Sequence, residues 1–135
     1  MANSSVTFSS RGTRIFHGKA FGAIPVCRFV TRALVGDVTL HGGQVTLGTG
    51  SSVPCGVSPA TFADGDDMDY HRSGIAAVEC DGSTLSAATI GDYVRCGASG
   101  YAAVESTPGT PTAFTAGVQL SYDATTHIAD IELSF

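Results

Sequence analysis

The chain has 135 residues, a net charge of −5 and only 14% charged residues. Its 17 Gly, 14 Ser and 15 Thr leave too little Glu, Lys and Leu for a coiled coil or helical bundle, and 43% hydrophobic content is too high for a solvated disordered chain. No apolar run reaches the roughly 20 residues that cross a bilayer as a helix, and Met1-Ala2-Asn3-Ser4-Ser5 has neither the basic start nor the apolar stretch of a secretion signal. The length predicts one domain with a modest core, and without a secretion signal the chain is expected to stay in a reducing cytosol.

Charge is split along the chain. Residues 1–36 carry Arg11, Arg14, Lys19, Arg28 and Arg32 and no acid; residues 37–135 carry Arg72 and Arg95 against all 12 acids. Gly12, Gly18, Gly22 and Pro25 interrupt the first segment, and its alternation is poor. It is expected to be an extended basic N-terminal arm, residues 1–36, on a β-rich domain, residues 37–135. Such an arm either meets an acidic surface on another molecule or lies against its own acidic body.

Beyond the arm, strands are predicted at 37–40, 44–47, 53–57, 68–72, 75–80, 92–96 and 101–104. Gly42-Gly43, Ser73-Gly74, Asp81-Gly82 and residues 97–100 supply the turns between them. Short helical turns are expected near 59–63 and 86–89. The clearest period-two pattern comes last. Phe114, Ala116, Val118, Leu120 and Tyr122 share one parity; after a turn at 124–126, Ala129, Ile131, Leu133 and Phe135 share another. That is a hairpin with one buried face. An internal echo pairs Gly36-Asp37 with Gly91-Asp92 and Gly56-Val57 with Gly117-Val118; it reads either as a duplicated β-unit or as shared turn chemistry. The expected fold is mainly β, a small barrel or sandwich-like domain with an extended N-terminal arm.

No catalytic motif is present: no G-x-S-x-G elbow, P-loop, H-E-x-x-H or dinucleotide fingerprint. Cys27, Cys55, Cys80 and Cys96 lack the close pair of a zinc site and read as buried free thiols. The run Asp64-Gly65-Asp66-Asp67-Met68-Asp69 fails the EF-hand pattern, because Asp69 and Ile75 stand where that loop needs Gly and Glu. It reads as a solvated turn. No enzyme activity, cofactor or metal is expected.

Four features together carry a family resemblance: Val35-Gly36-Asp37-Val38 with Gly42-Gly43; Gly56-Val57 followed by Ala60-Thr61-Phe62-Ala63-Asp64-Gly65-Asp66; Gly74 to Gly82 leading to Ile90-Gly91-Asp92-Tyr93-Val94; and Gly117-Val118-Gln119-Leu120 before an acidic–apolar closing strand. In these the segment from Leu34 to Phe135 resembles the head decoration, or capsid cement, proteins of tailed bacteriophages. The resemblance implies a non-catalytic virion protein on the outer capsid surface, bound to the major capsid protein and to sister copies as a homotrimer, with no membrane partner. The charge split then assigns the capsid contacts to the arm. Val6, Phe8, Ile15, Phe16 and Phe21 are expected as apolar anchors, and Arg11, Arg14, Lys19, Arg28 and Arg32 as partners of capsid carboxylates. The alternative is a nucleic-acid-binding module using the same arm, which an acidic chain with seven cations disfavours.

Overall fold

The structure, a computed structural model, describes residues 15–32, 43–81, 84–107 and 109–135. Strands β1 (Ile15–Ala20), β2 (Phe29–Arg32), β3 (Gln44–Leu47), β4 (Gly56–Val57) and β5 (Asp67–His71) close into a barrel in the order β1-β3-β2-β4-β5. Strands β6 (Ile75–Glu79), β7 (Tyr93–Cys96), β8 (Ala102–Val104), β9 (Thr115–Gln119) and β10 (Ile128–Leu133) form a second sheet in the order β6-β10-β9-β7-β8. Among the described residues the edges of that sheet meet at one parallel bridge, between Cys80 and Ala102. The mainly β architecture with a small barrel is the one the composition and turn spacing predict.

Residues 15–32 depart from the expected arm. They form β1 and β2 of the barrel, and Ile24, Phe29 and Val30 are fully buried there. Ile24 and Val30 enter a core of the barrel's own, with Val45, Cys55, Met68 and Tyr70, and Phe29 enters the one shared with the second sheet. Gly18, the residue that breaks the alternation in the sequence, is itself a buried position of β1 opposite Met68. Residues 1–14, the expected boundary near residue 36 and the expected strand at 37–40 lie outside the described residues.

Two smaller expectations also change. No helical turn forms over 59–63; Phe62 instead bridges to Ile24. In β9 the predicted parity fails after Ala116. The register against β7 shifts between Val94 and Arg95, and this bulge puts both Ala116 and Gly117 inside. The parity beyond it is reversed, so Gln119 is fully buried and Leu120 faces out. The buried amide is satisfied. Its Nε2 donates to the carbonyls of Ser86 (2.9 Å) and Ser121 (3.2 Å), and its Oε1 accepts from the Thr89 hydroxyl (2.6 Å). Ser86 caps the 3-10 turn Ala87–Thr89, which falls where a helical turn is predicted.

The two sheets repeat one another. Read round from β1 through β5, the barrel runs first, fifth, fourth, second, third strand; from β6 through β10 the second sheet runs the same way. Register agrees as well. Phe16 opposite Tyr70 becomes Ala76 opposite Ile131, and Lys19 opposite Asp67 becomes Glu79 opposite Ile128. Val30 opposite Gly56 becomes Val94 opposite Gly117. Arg32 opposite Val45 becomes Cys96 opposite Ala102. Even the parallel contact is repeated, Ala20 with Val45 and Cys80 with Ala102. The sequence echo of Gly56-Val57 with Gly117-Val118 is therefore a structural equivalence. The echo of Gly36-Asp37 with Gly91-Asp92 is not: Gly91-Asp92 precedes β7, the counterpart of β2, whereas Gly36-Asp37 follows β2.

The halves are joined by burial and by hydrogen bonds. Phe29 and Val57 of the barrel are buried in one apolar cluster with Cys96, Ala116, Ile131 and Leu133 of the second sheet. The Glu79 N–H donates to the Cys27 carbonyl at 2.8 Å.

Candidate functional site

Where each cation's charge is placed decides what the surface can do. Five cations outside residues 1–14 fall within the described residues. Lys19 lies 3.4 Å from Asp67 at the surface, a contact worth little in water. Arg28, expected as a tether to an external carboxylate, is turned inward instead. Its side chain is only 11% exposed. It donates to the Ser99 carbonyl (3.0 Å) and the Tyr101 hydroxyl (2.9 Å), and lies 3.4 Å from the Glu79 carboxylate. Burying an arginine is tolerable only with such partners, and they all lie in the second half of the chain. Arg95 donates from Nη2 to the Gly50 carbonyl.

Arg32 and Arg72 differ. Neither has a carboxylate within ion-pair distance among the described residues. They line one groove of about 560 Å³ together with Thr31, Ser51, Ser52, Val53, Pro54 and Cys55. Arg32 ends β2 and Arg72 follows β5. The Arg72 guanidinium lies 5.0 Å from the Phe16 ring centre, a cation–π contact that holds one face of Phe16. Tyr70 also neighbours Phe16, at 6.0 Å between ring centres. The groove floor is neutral. Burial pushes the Cys55 thiol up to about 11, and burial followed by the nearby Cys55 raises the Tyr70 hydroxyl. Val53 stands at the rim, 56% exposed.

The expected anchors separate in the same way. Ile15 and Phe21 are exposed apolar side chains, at 51% and 41%. Phe16 is half-buried against Tyr70 and Arg72. Val6, Phe8, Arg11 and Arg14 lie outside the described residues. Sequence reasoning missed Arg72. Its signal was there, since Arg72 is in phase with buried Met68 and Tyr70, as Arg32 is with Val30. A charge at an inward phase at a strand end marks a barrel mouth.

Several of the remaining titratable groups serve the fold. The Asp64 carboxylate accepts from the Gly22 N–H (2.7 Å) and Asp66 from the Ala63 N–H (2.8 Å). Asp69 pairs with His17. The acidic run thus ties the turn before β5 to β1 and its neighbours. Among the described residues no group of three or more His, Cys, Asp or Glu could hold a metal ion. All four cysteines are buried free thiols; burial raises Cys27 and Cys96 to about 11 and Cys80 to about 12. A thiol so placed is a poor nucleophile. Glu105, only 2% exposed, accepts from the hydroxyls of Thr112 (2.8 Å) and Thr115 and so fastens its own loop. Among the described residues no helix is long and apolar enough to cross a membrane.

No family model matches the sequence, and no curated protein does. Solved structures do match. The N base of the head fiber gp8.5 in bacteriophage phi29 superposes with a TM-score of 0.66 at 17% identity, over 90% of this chain and 94% of that one. A chain of the capsid of Myoviridae phage XM1 superposes with a TM-score of 0.62 at 13% identity, over 93% of this chain and 86% of that one. The chain shares its fold, nearly end to end, with these two components of bacteriophage heads.

Proposed function

We propose that the protein is a structural component of a tailed-bacteriophage head that binds the outer surface of the capsid and stabilises joints between capsomers. The observation that carries this reading is the shared fold over nine-tenths of the chain with a head-fiber base; the capsid chain of phage XM1 supports it. Gln119, Glu105 and the four thiols serve packing and loop geometry, which suits a mechanical role. A cement protein adds buried area across joints. Interfaces of roughly 1,200–2,000 Å² suffice for specific binding, and symmetric copies on a shell multiply the effect. The major capsid protein is the partner in this reading, and sister copies assemble as a homotrimer.

The contact set is narrower than the charge split alone implies. Ile15 and Phe21 are free to anchor on a partner, and Arg32 is free to pair with its acids. Val6, Phe8, Arg11 and Arg14 extend that set along residues 2–14. Phe16, Lys19 and Arg28 serve the protein's own fold. The test is co-sedimentation of the full chain with expanded capsids, with capsid melting followed in parallel. The expected result is saturable binding and a raised capsid melting temperature, both weakened by deleting residues 2–14. If the full chain neither sediments with capsids nor shifts their melting, the proposal fails.

A further inference from the structure

The groove between Arg32 and Arg72 has a counterpart in the second half of the chain, and the two are treated differently. Register places Arg32 at the position of Cys96; one residue beyond the paired positions, Cys55 falls at that of Ala116 and Arg72 at that of Leu133. In the second sheet this end is covered. Cys96, Ala116 and Leu133 are buried in one cluster with Phe29 and Val57 of the barrel, and the Ser52 hydroxyl lies 4.0 Å from the Cys96 sulfur. In the barrel the equivalent end is the open groove, and its two apolar wall positions are occupied by arginines.

We infer that the Arg32–Arg72 groove is a docking site for an extended acidic segment of a partner polypeptide, with carboxylates on the two guanidinium groups and a small apolar residue against Val53 and Pro54. Four observations lead there. The repeat identifies this end of the barrel as a surface that polypeptide covers in the sister unit. Its two cations lack an acid partner among the described residues, on a chain whose net charge is −5. The neutral Cys55 thiol that lines the groove adds no compensating charge of its own. The volume, about 560 Å³, suits a few residues of extended chain. The chain's own residues 1–14 do not fit as the occupant, because they carry Arg11 and Arg14 and no acid. Polypeptide carboxylates are favoured over nucleic-acid phosphates. Two guanidinium forks match two carboxylates in geometry, whereas binding by counterion release needs many phosphate contacts.

The identity of the partner as a capsid protein rests on the function proposed above; the chemistry of the groove does not. The experiment therefore has two arms, each using the full chain as wild type, as the double variant Arg32→Gln/Arg72→Gln, and as Lys19→Gln for a charge control. The first arm titrates a synthetic octapeptide alternating Asp and Val, at low and at high salt. Wild type and Lys19→Gln are expected to bind alike, and the double variant to lose about tenfold or more, the sum of two exposed charge pairs. If the double variant does not melt like wild type, the single variants replace it, each expected to lose about threefold. The second arm repeats capsid co-sedimentation with the same proteins, and the same order of affinities is expected. Peptide binding that is absent, or equal in all variants, overturns the groove assignment. So does a DNA duplex that displaces the peptide with the same arginine dependence. Capsid binding that survives the double variant unchanged overturns the groove as the capsid contact while leaving the head role standing. A wild type that binds peptide but not capsids overturns the head role while leaving the groove.

Discussion

The Arg28 guanidinium stacks 3.8 Å from the centre of the Tyr101 ring, and Nη2 of the same group donates to that tyrosine's hydroxyl at 2.9 Å. Arg28 immediately precedes β2 and Tyr101 immediately precedes β8, so the pair clasps the barrel to the second sheet. Replacing Arg28 by Ala removes the stack and leaves the Ser99 carbonyl without this donor. The expected loss is about 1–3 kcal/mol of unfolding free energy. Arg28→Lys keeps charge near Glu79 but loses the planar fork, and is expected to fall between the two. Urea unfolding of both variants checks this; an Arg28→Ala protein as stable as wild type would remove the clasp from the account.

Two glycines occupy equivalent places in the repeat and should fail alike. A Cβ on Gly56 would lie 2.7 Å from the His71 carbonyl oxygen, and one on Gly117 would run into the Glu132 carbonyl. Both glycines sit where a strand is crossed closely by the next strand of the sheet. Gly56→Ala and Gly117→Ala are each expected to cost about 1–3 kcal/mol or more through overpacking. Gly65→Ala serves as a contrast. Nothing lies within 4 Å of its Cβ, but its φ is +85, so its cost is backbone strain alone, about 1 kcal/mol. Thermal melts should place Gly56→Ala and Gly117→Ala alike, and both below Gly65→Ala.

Alkaline pH should unfold the protein. Burial raises all four thiols, three to about 11 and Cys80 to about 12, against an ordinary value of 9.0. Below about pH 9 folded and unfolded chains both hold these protons, and the thiols are neutral with respect to stability. Above it the unfolded chain releases them first, so stability falls as pH rises from about 9 towards 11–12. Denaturant midpoints measured from pH 7 to 11 test this. Replacing Cys80 by Ala or Val should flatten the alkaline slope, and an unchanged slope in that variant would assign the effect elsewhere.

Removing residues 2–33 should destroy the barrel rather than release an arm. The deletion takes away β1, which pairs with β5 over five positions, and the buried Ile24, Phe29 and Val30. The truncated chain is expected to lose cooperative unfolding, whereas deletion of residues 2–14 should retain it. Circular dichroism melts of the two truncations separate the outcomes.

What could be read from the residues follows from where apolar alternation is unbroken. β10 declares itself, because Ala129, Ile131 and Leu133 alternate with Asp130, Glu132 and Ser134. β3, β5, β6, β7 and β8 are found for the same reason, between glycine turns. β1 escapes because its inward positions include Gly18, which carries no apolar signal, and β2 because it is short and Pro25 and Cys27 break the run before it. Cys27 has a φ of 60, an uncommon conformation for a residue with a side chain. The inward Gln119 was illegible because a bulge reverses parity without leaving a mark in composition. Arg72 was read as one cation among acids; only the closed barrel brings it beside Arg32.

The first strand finds its antiparallel partner late. Ile15 faces His71 across the sheet, so during translation β1 must wait for more than fifty further residues to be added. At roughly 5–20 residues per second that is on the order of 3–10 s in which this antiparallel edge of the nascent strand has no mate, although β3 reaches its parallel edge sooner. Such an orphan invites wrong pairing between chains on crowded polysomes. His17 and Lys19 inside Ile15–Ala20 act as gatekeepers over that interval, and they later meet Asp69 and Asp67 on the arriving strand. The same side chains that contribute little to the finished barrel thus guard its unfinished one.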